Sequence, residues 1–91
     1  MQRTMIRDVP GMTGQTVTIK GFVDTVRRQK KMQFLVVRDA TGKVQVTHSK
    51  ANSEELAAII DQLTPESAVI ITGTVVEALQ VKLGGIELVP E

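Results

Sequence analysis

The chain has 91 residues, a formal net charge of +1, one histidine, two phenylalanines and no cysteine, tryptophan or tyrosine. That length is one domain with one small, aliphatic core, and without cysteine neither a disulfide framework nor a thiolate metal site is available. No apolar run approaches the ~20 residues of a membrane span and no signal peptide is visible, so the expectation is a cytoplasmic protein.

Residues 1–14 read as an N-terminal arm and turn, punctuated by Pro10, Gly11 and Gly14. The segment QTVTIKGFVD (15–24) alternates as a strand. Val17, Ile19 and Val23 share one face, with Thr18, Lys20, Phe22 and Asp24 on the other. Gly21 falls on the core parity, where a bulge or sharp bend is expected. Arg27, Arg28, Lys30 and Lys31 then form a local basic cluster, read as a loop joining the first strand to the second. Such a patch on a near-neutral domain suits a phosphate backbone, and a solvated loop is the other reading.

MQFLVVRD (32–39) and KVQVTH (43–48) predict a hairpin around Asp39, Ala40, Thr41 and Gly42, with Gly42 placed to take a positive φ. NSEELAAIIDQL (52–63) is the one helical segment. Asn52 and Glu55 give a capping-box pattern, and Leu56, Ile59, Ile60 and Leu63 form one apolar stripe. SAVIITGTVVEA (67–78) and GIELVP (85–90) supply two further strands. The order β-β-β-α-β-β predicts an all-β, five-stranded OB-fold Greek-key barrel with one helix between strands 3 and 4; an open sheet with one covering helix is the alternative.

The hairpin carries the functional signal. Leu35, Val37, Val44 and Val46 form the uniformly apolar sets and must face the core. Phe34 and Gln45 therefore share the outer face, which in OB-folds binds oligonucleotides. A phenyl ring stacks on a base, and an amide offers a donor and an acceptor to a base edge. Three rivals stand beside that reading: a general single-stranded nucleic-acid binder, a protein-interaction module, natural or engineered, and an accessory subunit of a separate catalytic chain. The lone His48, expected at the surface, leaves no plausible metal set or nucleophile triad, and no phosphate-loop or dinucleotide motif occurs. No cofactor is expected.

GFVDTVRRQKKMQFLVVRDATGKVQV (21–46) resembles the N-terminal anticodon-binding OB domain of class IIb aminoacyl-tRNA synthetases. GTVVEALQVKLGGIELVP (73–90) is similar to the archaeal and eukaryotic aspartyl or asparaginyl branch. The resemblance implies that Phe34 stacks on the central uridine of a tRNA anticodon and that Gln45 bonds that uridine's edge. It further implies that Arg27 touches the anticodon loop, that Glu77 contacts the anticodon and that Lys82 contacts backbone. Arg28, Lys30 and Lys31 are general phosphate candidates, and Arg38 with Asp39 matches a hairpin-pinning pair. The family's frequent Trp after the first Gly is Phe22 here. The family's hinge and catalytic domain, with the class II motifs that bind ATP, lie outside these residues, so the chain is not expected to be an enzyme on its own. It reads as a domain excised from a synthetase, a freestanding paralogue or a re-engineered scaffold. The implied partners are a tRNA and a separate or covalently linked catalytic domain.

Overall fold

The computed structural model describes residues 4–78 and 85–90. A 3-10 helix (Ile6–Gly11) leads into β1 (Thr16–Arg28), β2 (Met32–Asp39), β3 (Gly42–Ser49), α1 (Glu54–Ile60), β4 (Ala68–Glu77) and β5 (Ile86–Pro90). The strands close in the order β1-β2-β3-β5-β4, every pairing antiparallel except β3 with β5. This is the OB barrel with its helix between β3 and β4, and the open-sheet alternative falls because β1 pairs with β4 from Thr16–Thr74 to Phe22–Ala68.

Alternation along the strands builds the core. Val17, Ile19, Val23, Leu35, Val37, Val44, Val46, Val75, Ile86 and Leu88 all point inward and are buried. Gly21 and Gly73 also lie on inward positions, where a Cβ would run into the carbonyl oxygens of Arg38 and Val89 respectively. They are points of close backbone approach. The irregularity in β1 is not at Gly21 but three residues on, where the β1–β2 register shifts between Val23 and Thr25.

That bulge at Asp24 changes which way the end of β1 faces. Val23 pairs with Val37 on the inside, but after one extra residue Val26 pairs with Leu35 and Arg27 with Phe34. Unbroken alternation from Val17 would have turned Arg27 into the barrel; the inserted residue turns it out. β1 therefore runs to Arg28, and only Gln29–Lys31 form the loop, which corrects the expectation of a five-residue basic connection.

The 3-10 helix Ile6–Gly11 is packed against the barrel. Ile6 and Val9 are buried in the core, and the amide of Ile6 donates to Asp39 Oδ2 at 3.0 Å. The other carboxylate oxygen of Asp39 accepts from the Thr41 amide, the Thr41 hydroxyl and the Gly42 amide at 2.7, 2.6 and 3.2 Å. Burial alone would push the Asp39 carboxyl up, but these four hydrogen bonds outweigh it and hold the group below its usual value. With the turn pinned by Asp39, Gly42 needs no positive φ and has none. Arg38 does not pin the hairpin itself. Its Nη2 meets both carboxylate oxygens of Glu66 at 2.8 Å, and its guanidinium lies 5.7 Å from the Phe22 ring centroid.

α1 is shorter than its pattern. Ser53, not Asn52, is the N-cap, its hydroxyl accepting from the Leu56 amide at 3.1 Å. Ala57 and Ile60 face the barrel and Ile59 is turned out, 55% exposed, because the helix rotates its stripe toward the short side chain of Ala57. The helix is tied down by a buried polar cluster. Gln33 Nε2 donates to the Ala57 carbonyl (3.0 Å) and to Asp61 Oδ1 (2.8 Å), while its Oε1 lies 2.9 Å from His48 Nδ1. His48 is 1% exposed, against the expectation of a surface residue. The reason is cross-strand pairing with Gln33, which gives the imidazole a polar partner inside the barrel.

Candidate nucleic-acid interface

The outer face of β1, β2, β3 and β5 carries one continuous row. Arg27 pairs with Phe34, and Phe34 with Thr47. The Thr47 hydroxyl donates to Glu87 Oε2 at 2.7 Å, which carries the row onto β5. One step along, Thr25 pairs with Val36 and Val36 with Gln45. Thr25, Arg27, Phe34, Leu35, Val36 and Gln45 line a shallow hollow of about 110 Å³.

Each side chain has a physical reason to be there. Phe34 is half-buried, and the Arg27 guanidinium lies 5.2 Å from its ring centroid, so a cation covers an aromatic face that would otherwise be bare. Gln45 is half-buried, and its Nε2 donates to Thr47 Oγ1 at 3.2 Å. Lys30 and Lys31 are exposed in the loop that follows Arg28. The face thus offers a ring, an amide, a guanidinium and nearby ammonium groups. That is the chemistry for a stacked base with its phosphate backbone alongside.

Other candidates are placed elsewhere. Arg28 is turned to α1, where its Nη2 donates to the carbonyls of Asp61 (3.1 Å) and Leu63 (2.8 Å) and its Nε lies 3.6 Å from Asp61 Oδ1. It satisfies the carbonyl of the helix C-cap residue, Asp61, and that of Leu63 in the turn beyond it. Glu77 is exposed at the end of β4 and shares the inward parity of Gly73 and Val75, so alternation does not bring it to the Phe34 face. Lys82 lies outside the described residues. Glu87, not singled out from the sequence, is on the face. Its position between the inward Ile86 and Leu88 was the available signal.

A larger hollow, of about 730 Å³, lies on the β1–β2–β4 side among Lys20, Phe22, Arg38, Ala68 and Ile70. It lacks an aromatic–amide pair, and its guanidinium is already held by Glu66, so the smaller hollow is the better base site.

Residues 17–91 match the family described as OB-fold nucleic acid binding domain. The chain belongs to that family. The domain is 35% identical over 96 residues to the asparagine–tRNA ligase of Pelotomaculum thermopropionicum, covering 98% of this chain and 22% of that protein. It is 42% identical over 84 residues to the asparagine–tRNA ligase of Koribacter versatilis, covering 91% and 19%. The asparaginyl-tRNA synthetase of Pyrococcus horikoshii superposes with a TM-score of 0.91 at 33% identity, over 100% of this chain and 21% of that one. The domain thus spans about a fifth of the length of these relatives, and it matches the anticodon-binding OB domains of asparaginyl- and aspartyl-tRNA synthetases. An OBody bound to hen egg-white lysozyme shares the fold, at 23% identity and a TM-score of 0.87. Among the described residues no helix is long and apolar enough to cross a membrane.

Proposed function

We propose that this OB domain binds the anticodon loop of a tRNA for asparagine or aspartate and serves a class II synthetase catalytic region, linked or separate. The observation that carries the reading is the placement of Phe34 and Gln45 on one outer face with Arg27 over the ring. In this mechanism the loop splays its bases outward. The central uridine stacks on Phe34, and Arg27 yields the ring face and moves to a phosphate. Gln45 bonds the uridine edge, while Lys30 and Lys31 hold the strand's backbone. A cation that sits on the ring in the free domain keeps the apolar face covered until a base replaces it.

The test is titration with an anticodon stem-loop carrying a central uridine, against the same loop with cytidine, at two salt concentrations. Tighter, salt-weakened binding of the uridine loop supports the proposal. Phe34→Ala is expected to lower affinity for the uridine loop by roughly 5- to 150-fold, the equivalent of about 1–3 kcal/mol for one stacked base. Binding insensitive to Phe34→Ala, or none at all, would refute it.

A further inference from the structure

We propose that the groove running from β1 across β4 to α1 is a self-association face, on which a second copy of this chain docks about a two-fold axis near Ile70. Among the described residues three large hydrophobic side chains are exposed: Phe22 at 49%, Ile59 at 55% and Ile70 at 70%. Exposed apolar residues are ordinary when scattered and informative when contiguous. These three share one groove. Lys20 and Phe22 stand on the outer face of β1, opposite Ile70 and Ala68 of β4, and all four line the hollow of about 730 Å³. Ala68 and Ile70 also form one wall of an apolar hollow of about 290 Å³, whose other wall is Leu56 and Ile59 of α1. Leu56 and Ile59 in turn border a third hollow together with Glu55. Ile70 thus stands in the middle, with Lys20 on its β1 side and Glu55 on its α1 side.

The charges select the occupant. Arg38 is held by Glu66 and Arg28 by Asp61. Among the described residues neither Lys20 nor Glu55 has an ion-pair partner. An apolar face with a free cation on one flank and a free anion on the other is complementary to its own two-fold image. In such an isologous pair every contact occurs twice. Lys20 of each copy meets Glu55 of the other, Phe22 of each meets Ile59 of the other, and the two Ile70 side chains meet near the axis. The contact closes on itself, so association stops at a dimer instead of continuing as a filament. A net charge of +1 opposes the encounter very little. The groove takes none of Thr25, Arg27, Phe34, Val36 and Gln45, so pairing there does not depend on what the Phe34 hollow binds.

Sedimentation equilibrium of the 91-residue chain over a wide concentration range tests this. The parent protein should show a reversible monomer–dimer equilibrium. Ile70→Asp, checked for folding by thermal unfolding, should raise the dissociation constant at least about tenfold, because it sets two carboxylates together at the apolar centre. Lys20→Glu and Glu55→Lys each set like charges together on both flanks, and each alone should be monomeric where the parent is dimeric. An equimolar mixture of these two variants restores opposite charges on both flanks. It should dimerise again to within a few-fold of the parent, which a folding defect in either variant cannot mimic. A parent chain that stays monomeric at every concentration overturns the proposal and leaves the groove to a different chain, such as a synthetase catalytic region. A dimer indifferent to Ile70→Asp overturns it by placing the contact elsewhere. A mixture of the two charge variants that stays monomeric overturns the two-fold arrangement.

Discussion

Gln33 and His48 face each other across β2 and β3, Oε1 to Nδ1 at 2.9 Å, both sealed inside the barrel end that α1 covers. Because Gln33 Nε2 already donates to two acceptors, its Oε1 must accept, and Nδ1 of His48 must carry the proton. His48 Nε2 is then a bare, buried nitrogen with no hydrogen-bond partner among the described residues. Burial pushes the imidazole below its ordinary value of 6.5.

The sign of the consequence follows from linkage. Above pH 6.5 neither the folded nor the unfolded chain binds the proton. Below it the unfolded chain does and the folded one resists, so stability falls as pH drops from 6.5 toward the folded value, then levels off. The slope in that window is at most about 1.4 kcal/mol per pH unit for one proton. Urea midpoints at pH 7.5, 6 and 5 should decline, and the decline should flatten in His48→Asn. As the chain's single histidine, His48 also reports directly by NMR titration. A ring that titrates at or above 6.5 contradicts the account.

Asp39 joins the N-terminal segment to the β2–β3 turn, since one oxygen takes the Ile6 amide and the other takes Thr41 and Gly42. Asp39→Asn sets an NH2 group against one of those donors. The expected loss is about 1–3 kcal/mol, the cost of leaving a partly buried polar group unmatched. Hydrogen exchange should accelerate first at the Ile6 amide. Protection there that matches the parent protein would show that burial of Ile6 and Val9 alone seats the 3-10 helix.

The barrel was legible wherever period-two alternation runs unbroken. Leu35 and Val37 inside, Phe34 and Gln45 outside, and the strand–helix–strand order all follow from it. What alternation could not reveal is an inserted residue. Nothing in the chemistry of Asp24 announces a bulge, so the length of β1 and the outward turn of Arg27 were hidden. His48 was hidden for a different reason. A polar residue reads as exposed until its partner is known, and Gln33 becomes its partner only through register. Glu87 could have been found, because it alternates between two apolar positions, but its contact with Thr47 crosses 40 residues.

Arg27 and Arg28 are neighbours in sequence with separate duties. The first lies over Phe34, the second caps α1. Arg27→Gln is expected to lower the slope of log affinity against log salt by about 0.7, one phosphate contact on a single strand, with little change in Tm. Arg28→Gln should leave that slope alone and lower stability by about 1 kcal/mol through lost carbonyl hydrogen bonds. Parallel salt titrations and thermal unfolding of both variants check the pair. An equal fall in slope for the two would place Arg28 on the RNA.

Gly21 tests the closure of the barrel itself. A Cβ at this position meets the Arg38 backbone carbonyl, and the nearest side-chain atom is Val37 Cγ1 at 3.3 Å. Backbone of a central strand cannot move aside as a flexible side-chain tip can, so β1 and β2 would have to separate where Phe22 pairs with Arg38. Gly21→Ala should therefore cost about 3 kcal/mol or more, the upper range for overpacking a core. Gly11→Ala is the matched control. It has open space around its notional Cβ and no positive φ, so it should be neutral or stabilise by about 0.4–1 kcal/mol through the unfolded chain. Urea unfolding of the two variants under one set of conditions separates the steric term from the loss of glycine's backbone freedom. Similar midpoints for both would mean that the strands can part at Gly21 without penalty.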